Sequence, residues 1–355
     1  MRAVMRTIAF ATAICLAAAC FGPLAGCGDS SGQTSPGSAP SATQPPANGS
    51  NPSDPSDPGS SSSPADSTSD SDAGTTSGPA FSEPATILTS PFDEAAAETF
   101  ADGTLAIDSS HLTEGYVGAR ATASSRCKFQ VICGEMSYNY DLPEDGSPIV
   151  VPLNMGDGSY TFRIMQNTSG TNYVELAGTT ADVAMENQFV PFERPSLFCN
   201  YGTDSPSVEK ARQLASGCAN EGDVVRAVYD WMTASISYDN AKAEQLATTT
   251  GYVPNPDDTL ASGTGICFDY ASLAAAMFRS LGVPCQIITG YVSPNDIYHA
   301  WNMIYINGEW ISAHITVEQN RWCRVDLTFA ATALQNGDST ATVGDGTSYT
   351  DRYVY

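Results

Sequence analysis

Gly263-Thr264-Gly265-Ile266-Cys267-Phe268-Asp269-Tyr270, running on into Ala271-Ser272-Leu273-Ala274-Ala275-Ala276-Met277-Phe278-Arg279-Ser280-Leu281, is the stretch that decides the fold. The second half is rich in Ala, Leu and Met, holds no helix breaker and stops at Gly282, so a largely buried helix is expected. Cys267 stands at its start, just after two glycines. Backbone N–H groups without intrahelical partners and the positive end of the helix dipole favour an anion there, which stabilises a thiolate. The same groups can meet a developing oxyanion, so one turn can supply both nucleophile and transition-state stabiliser.

A thiol nucleophile needs a base, and the chain has three histidines: His111, His299 and His314. His299 opens a strand one loop after the helix, in His299-Ala300-Trp301-Asn302, and a carboxylate on a following strand would fix its tautomer. Strands are expected over 286–292, 299–306, 309–317 and 322–329, with Asn307-Gly308 as a hairpin turn between the second and third, and a closing strand over 352–355. Before the cysteine, the spacing of Val224, Val228, Trp231 and Met232 predicts a helix over 223–236, with another over 207–216 and a polar loop over 251–258.

Gly265-Ile266-Cys267-Phe268-Asp269-Tyr270-Ala271, His299-Ala300-Trp301-Asn302 and Asp326-Leu327-Thr328-Phe329 resemble the Cys, His and Asp motifs of the transglutaminase-like superfamily, in that order. The resemblance covers roughly residues 223–329. It implies an α+β, papain-like core of helices packed on an antiparallel sheet, with Cys267 as nucleophile, His299 as base and Asp326 orienting it. The gap from His299 to Asp326 is longer than the family's usual spacing, and at the usual place stands His314, which leaves either an inserted hairpin or a changed third member. Tyr238, in Ile236-Ser237-Tyr238-Asp239, is the candidate for an additional oxyanion donor upstream of the cysteine. No cofactor is implied; a subset of the family uses calcium, but an acidic surface is not a specific calcium site.

Ahead of this core, Lys128–Ile132, Ile149–Leu153, Tyr160–Met165 and Tyr173–Leu176 alternate apolar and polar residues between Gly, Asp and Asn turns. A small β-rich, sandwich-like accessory domain is therefore expected over 89–200, with the transglutaminase-like domain over 201–355. From Gly28 to Ala80 there is no aromatic, no Leu, Ile, Val or Met and no basic residue. Such a segment cannot offset its chain entropy, so residues 27–88 read as a disordered tether spanning about 40 Å or more. At the N-terminus, a basic Met1–Arg6 and a short apolar run form a lipoprotein signal peptide over 1–26, and Leu24-Ala25-Gly26-Cys27 resembles the bacterial lipobox, which makes Cys27 the lipidation site. The protein is thus expected on the extracytoplasmic face of the cell membrane, held by lipid on Cys27.

The balance of 39 acidic against 15 basic residues, a net charge of −24, excludes nucleic acid as a partner, because phosphate contacts need clustered Lys and Arg. Of ten cysteines, seven lie beyond Cys27. Setting Cys267 aside leaves Cys127, Cys133, Cys199, Cys218, Cys285 and Cys323, an even number that allows up to three disulfides in an exported protein. Cys127 and Cys133 cannot pair if they lie on one extended strand. No C-x-x-C pair or His spacing suggests a metal site. The expected function is a cell-surface thiol enzyme, an acyltransferase or hydrolase acting through a Cys thioester on carboxamides of extracellular protein or peptide. The alternative is a non-catalytic binding or adhesive module on the same fold. Substrate, second acyl acceptor, disulfide connectivity and oligomeric state are not legible.

Overall fold

The computed structural model describes residues 74–312, 315–337 and 348–355; the expected signal peptide, Cys27, the tether up to residue 73 and His314 lie outside the described residues. In chain order the elements begin with β1 (Thr75–Ser77), β2 (Glu98–Phe100), β3 (Leu105–Asp108), β4 (Tyr116–Ala121), β5 (Cys127–Cys133), β6 (Met136–Asp141), β7 (Ile149–Pro152), β8 (Gly158–Ser169) and β9 (Asn172–Val183). Then come α1 (Pro206–Ala215), α2 (Glu221–Ser235), β10 (Ser237–Tyr238), α3 (Asn240–Leu246), α4 (Pro256–Ser262), β11 (Thr264–Gly265) and α5 (Cys267–Ser280). Last are β12 (Cys285–Val292), β13 (Ile297–Tyr305), β14 (Glu309–Ile311), β15 (Thr316–Val317), β16 (Trp322–Val325), α6 (Leu327–Gln335) and β17 (Tyr349–Val354). The fold class is α+β.

The alternating first half builds two four-stranded antiparallel sheets, ordered β2-β3-β4-β7 and β6-β5-β8-β9. Their register puts apolar residues opposite one another, Phe129 across from Ile164 and Val131 across from Phe162. All four are buried, and each contributes about 1.5–3 kcal/mol by leaving water. Cys127 and Cys133 occupy the two ends of β5, too far apart to bond. The disulfide framework is a correction: Cys127, Cys133, Cys199, Cys218, Cys267, Cys285 and Cys323 are all free thiols in the structure.

The second half is built around α5, every residue of which is buried. It packs on β12 and β13 of a third sheet, ordered β16-β13-β12-β17, with α1, α2 and α4 against its other sides. Polar ties hold it in place: Tyr270 donates to the Ile236 carbonyl at 2.6 Å and Ser272 to the Phe198 carbonyl at 2.7 Å. Arg279, buried on the same helix, spends its guanidinium on the carbonyls of Cys285, Arg194 and Tyr355 at 2.8–3.0 Å, which satisfies a charge that burial would otherwise make costly. One apolar cluster includes residues of the β-rich sheets, such as Tyr140 and Phe162, together with Phe198, Phe268 and Tyr355.

Three local expectations need correction. The strand expected over 322–329 ends at Val325, because Asp326 accepts from Phe329 N at 3.0 Å and caps α6. Asn307-Gly308 is not a hairpin turn joining paired strands: β14 leaves the sheet of β13 and pairs with β1 and β15 instead. Gly308 lies so close to the β1 end that a Cβ there would meet Ser77 O at 2.5 Å. Finally, β1 falls inside the segment read as a tether to residue 88. A strand added at an edge needs only backbone hydrogen bonds, so the lack of large apolar residues does not prevent it.

Candidate active site

Cys267 is the first residue of α5, and the turn before it is fixed from both sides. β10 and β11 pair in parallel, setting Ser237 beside Thr264 and Tyr238 beside Gly265. From the helix side, the fully buried Asp269 reaches back to accept from Ile266 N at 2.8 Å. A Cβ on Gly265 would sit 2.6 Å from the Asp269 Cβ, so only glycine permits this approach. Asp269 also accepts from Tyr252 OH at 2.5 Å and pairs with Lys242 Nζ at 2.7 Å.

The level of Cys267 along the sheet follows from one hydrogen bond. Asn302 Nδ2 donates to the Ala271 carbonyl at 3.0 Å, which pins β13 to α5. α5 turns into β12, which runs back along it, and β12 pairs antiparallel with β13, so β13 and α5 point the same way. Four residues of helix, about 6 Å, lead back from Ala271 to Cys267. The same 6 Å or so along a strand is about two residues, from Asn302 to Ala300, the neighbour of His299.

His299 is buried, and its Nε2 lies 2.8 Å from Asp326 Oδ2. Neither side chain is exposed. The imidazole stacks flat on Phe329 of α6, with centroids 4.3 Å apart and planes inclined by 8°. Asp326 thus serves two purposes: Oδ1 caps α6, and Oδ2 takes His299 and also the Tyr349 hydroxyl at 2.9 Å. Tyr349 stands edge-on to Trp301 at 4.9 Å and lies under the Arg324 guanidinium at 4.4 Å. Burial, and then the Asp326 charge, push the Tyr349 phenol well above the usual tyrosine range, so it stays a donor.

The structure therefore joins His299 to Asp326 directly, sets Cys267 level with them at the head of α5, and places Tyr238 against the turn before Cys267. Tyr349, Phe329, Asp269, Tyr252 and Lys242 were not legible as site residues. Tyr349 lies just before the closing strand expected from residue 352, and nothing local in the sequence names its partner. Among the described residues no group of three or more His, Cys, Asp and Glu side chains is placed to hold a metal ion, and no helix is long and apolar enough to cross a membrane.

Residues 208–327 match the family model of the Transglutaminase-like superfamily, a segment running from α1 to the first residue of α6 and containing all three of Cys267, His299 and Asp326. Over this segment the chain is similar to that superfamily. Human kyphoscoliosis peptidase is 26% identical over 130 residues, covering 34% of this chain and 19% of that protein. Cytokinesis protein 3 of Schizosaccharomyces pombe is 30% identical over 116 residues, covering 30% of this chain and 12% of that protein. The chain therefore spans about a fifth or less of the length of these relatives. A solved structure from Cytophaga hutchinsonii with a provisional cysteine-protease name aligns over 68% of this chain and 86% of its own, at 15% identity and a TM-score of 0.29, too slight a likeness to carry an argument. The matched segment holds the Cys, His and Asp of a thiol-enzyme site.

Proposed function

We propose that the protein is a cell-surface thiol enzyme that opens carboxamides of extracellular proteins or peptides through a Cys267 thioester. The observation that carries this reading is the buried His299–Asp326 pair at the level of a cysteine heading a helix. With Nε2 turned to Asp326, Nδ1 is the imidazole atom that takes the proton from the Cys267 thiol. The thiolate then attacks the carbonyl carbon, forming the C–S bond, and the oxyanion is held by the Cys267 N–H, with Tyr238 as a further donor. His299 returns the proton to the departing nitrogen as the C–N bond breaks. Water or a second amine, deprotonated by the same imidazole, releases the acyl group as acid or as a new amide. The lipobox-like Leu24-Ala25-Gly26-Cys27 supports anchoring by lipid on the extracytoplasmic face of the membrane.

The test is the rate at which iodoacetamide alkylates Cys267 near neutral pH, mapped by mass spectrometry, in the native protein and in His299→Ala. Fast labelling of Cys267, slowed by at least about tenfold in the variant, is the expected result. Equal, slow rates would instead favour a non-catalytic surface module.

A further inference from the structure

The alternation that turns Ala300, Asn302 and Ile304 toward α5 turns Tyr298 the same way, and Tyr291 lies directly opposite Tyr298 across the pair. Because α5 begins at Cys267, about level with Ala300, these two rings lie beyond its end on the face of the sheet that α5 covers. They meet edge to face at 5.3 Å, and Tyr298 donates to Thr289 Oγ1 at 3.0 Å. Arg352 of β17 lays its guanidinium over the rings of Tyr291, at 5.9 Å, and Tyr353, at 5.2 Å, and donates from Nη1 to the Tyr291 hydroxyl at 2.9 Å. All four side chains are half-buried. β17 is two strands from β13, so the arginine backbone is roughly 10 Å from that of His299, with the guanidinium reaching inward over β12.

Charge sets Arg352 apart. In a chain of net charge −24, no carboxylate among the described residues forms an ion pair with it, whereas Arg324 of the same sheet faces Asp351. Arg352 is held in place by tyrosine faces and one hydroxyl, which orient the guanidinium without neutralising it. A planar fork so placed fits a carboxylate, which it can bind with two parallel hydrogen bonds. The surrounding acidic surface repels anions, so an anionic substrate depends on such a local cation, while a neutral one does not.

We infer that Arg352, framed by Tyr291 and Tyr298, is a carboxylate-binding subsite of the acyl-donor groove, and that the substrate class is an amide or peptide bearing a carboxylate within a few bonds of the attacked carbonyl. The inference rests on Cys267 being the nucleophile.

The test uses the full-length protein and two matched sets of alkylating probes: N-iodoacetyl derivatives of glycine and of 4-aminobutyrate, each with a free carboxylate or as the terminal amide. In every case the Cys267 thiolate displaces iodide and forms a C–S bond, so rates compare recognition at constant chemistry. The expected result is that one carboxylate probe labels Cys267 roughly fivefold or more faster than its amide, that added salt reduces this preference, and that Arg352→Met abolishes it, the two rates becoming equal. Tyr291→Phe, which keeps the ring but removes the hydroxyl, should lower the preference partway. Equal rates for carboxylate and amide probes in a fast-reacting native protein, or a preference that survives Arg352→Met, would overturn the subsite alone. Slow labelling by every probe would overturn the nucleophile and the subsite with it.

Discussion

The Tyr349 hydroxyl donates to the same oxygen, Asp326 Oδ2, that meets His299 Nε2, at 2.9 Å and 2.8 Å respectively. Two partners on one buried oxygen hold the carboxylate in one rotamer, while Phe329 N occupies the other oxygen. The orientation of His299 therefore depends on the last strand of the fold. Tyr349→Phe should slow Cys267 alkylation by roughly three- to tenfold, less than the full worth of a hydrogen bond to a charged acceptor because Tyr349 acts on the thiol only through Asp326 and His299, and should shift the pH dependence of that rate. Asp326→Asn, which disturbs the imidazole tautomer itself, should cost on the order of a thousandfold. A pH–rate profile of the two variants would separate these effects; an unchanged profile in Tyr349→Phe would reduce that residue to packing.

Behind the nucleophile, Asp269 holds the Gly265–Cys267 turn while paired with Lys242 and Tyr252. Asp269→Asn removes the charge that Lys242 faces and weakens the cap on Ile266 N. The expected loss is about 2–3 kcal/mol, below the cost for a fully buried pair because Lys242 is partly open to water. Urea melts of Asp269→Asn, Lys242→Met and the double variant would measure the coupling. If the double variant lost as much as the two single changes summed, no pair interaction would be operating.

These two networks mark the boundary of what could be read from the chain. The helix of Cys267 was legible because its composition permits little else, and His299 because only three histidines exist. Asp326 was legible as a motif but was expected on a strand, since Leu327, Thr328 and Phe329 read equally well as strand. What decides is the side chain of Asp326 turning onto Phe329 N, a local hydrogen bond that propensity does not register. The detour of β14 was hidden for a different reason. Its partner β1 lies more than two hundred residues earlier in a stretch with no aromatic, Leu, Ile, Val or Met, and the pairing rests on backbone groups every residue possesses. Tyr349 was hidden likewise, because contacts between distant strands leave no periodicity.

Across the sheet from His299, Gly290 leaves room that no other residue would. A Cβ there would stand 2.1 Å from Thr350 O and 2.8 Å from Trp301 Cη2. Gly290→Ala must therefore push β17 away from β12 or displace Trp301, on which Tyr349 rests. A loss of roughly 2 kcal/mol or more is expected, within the range for overpacking, and it should come with slower Cys267 alkylation because Tyr349 moves with β17. Urea melts and alkylation rates of one preparation suffice to check both; a variant that lost stability but kept the native rate would uncouple β17 from the site.

The remaining thiols make a separate prediction about pH. Burial pushes the Cys285 thiol up to about 12 and the Cys199 thiol up to about 11, and it also raises Cys127, Cys218 and Cys323. At pH 7–8 Cys199 and Cys285 are therefore protonated as well as inaccessible, and both should resist iodoacetamide until the protein unfolds. The same shifts act on stability. In the unfolded chain a cysteine ionises near 8.5, whereas folded Cys285 and Cys199 keep their protons, so the folded state binds more protons between those values. Their contribution is intact below about pH 8.5 and declines as pH rises toward 11–12, by roughly 2 kcal/mol for each thiol at pH 10. Urea melts at pH 8 and pH 10 should show that decline in the native protein and a smaller one in Cys285→Ala. The variant starts lower because of the cavity but has lost one titrating group. An equal decline in both proteins would mean that Cys285 ionises in the folded state as readily as in the unfolded chain.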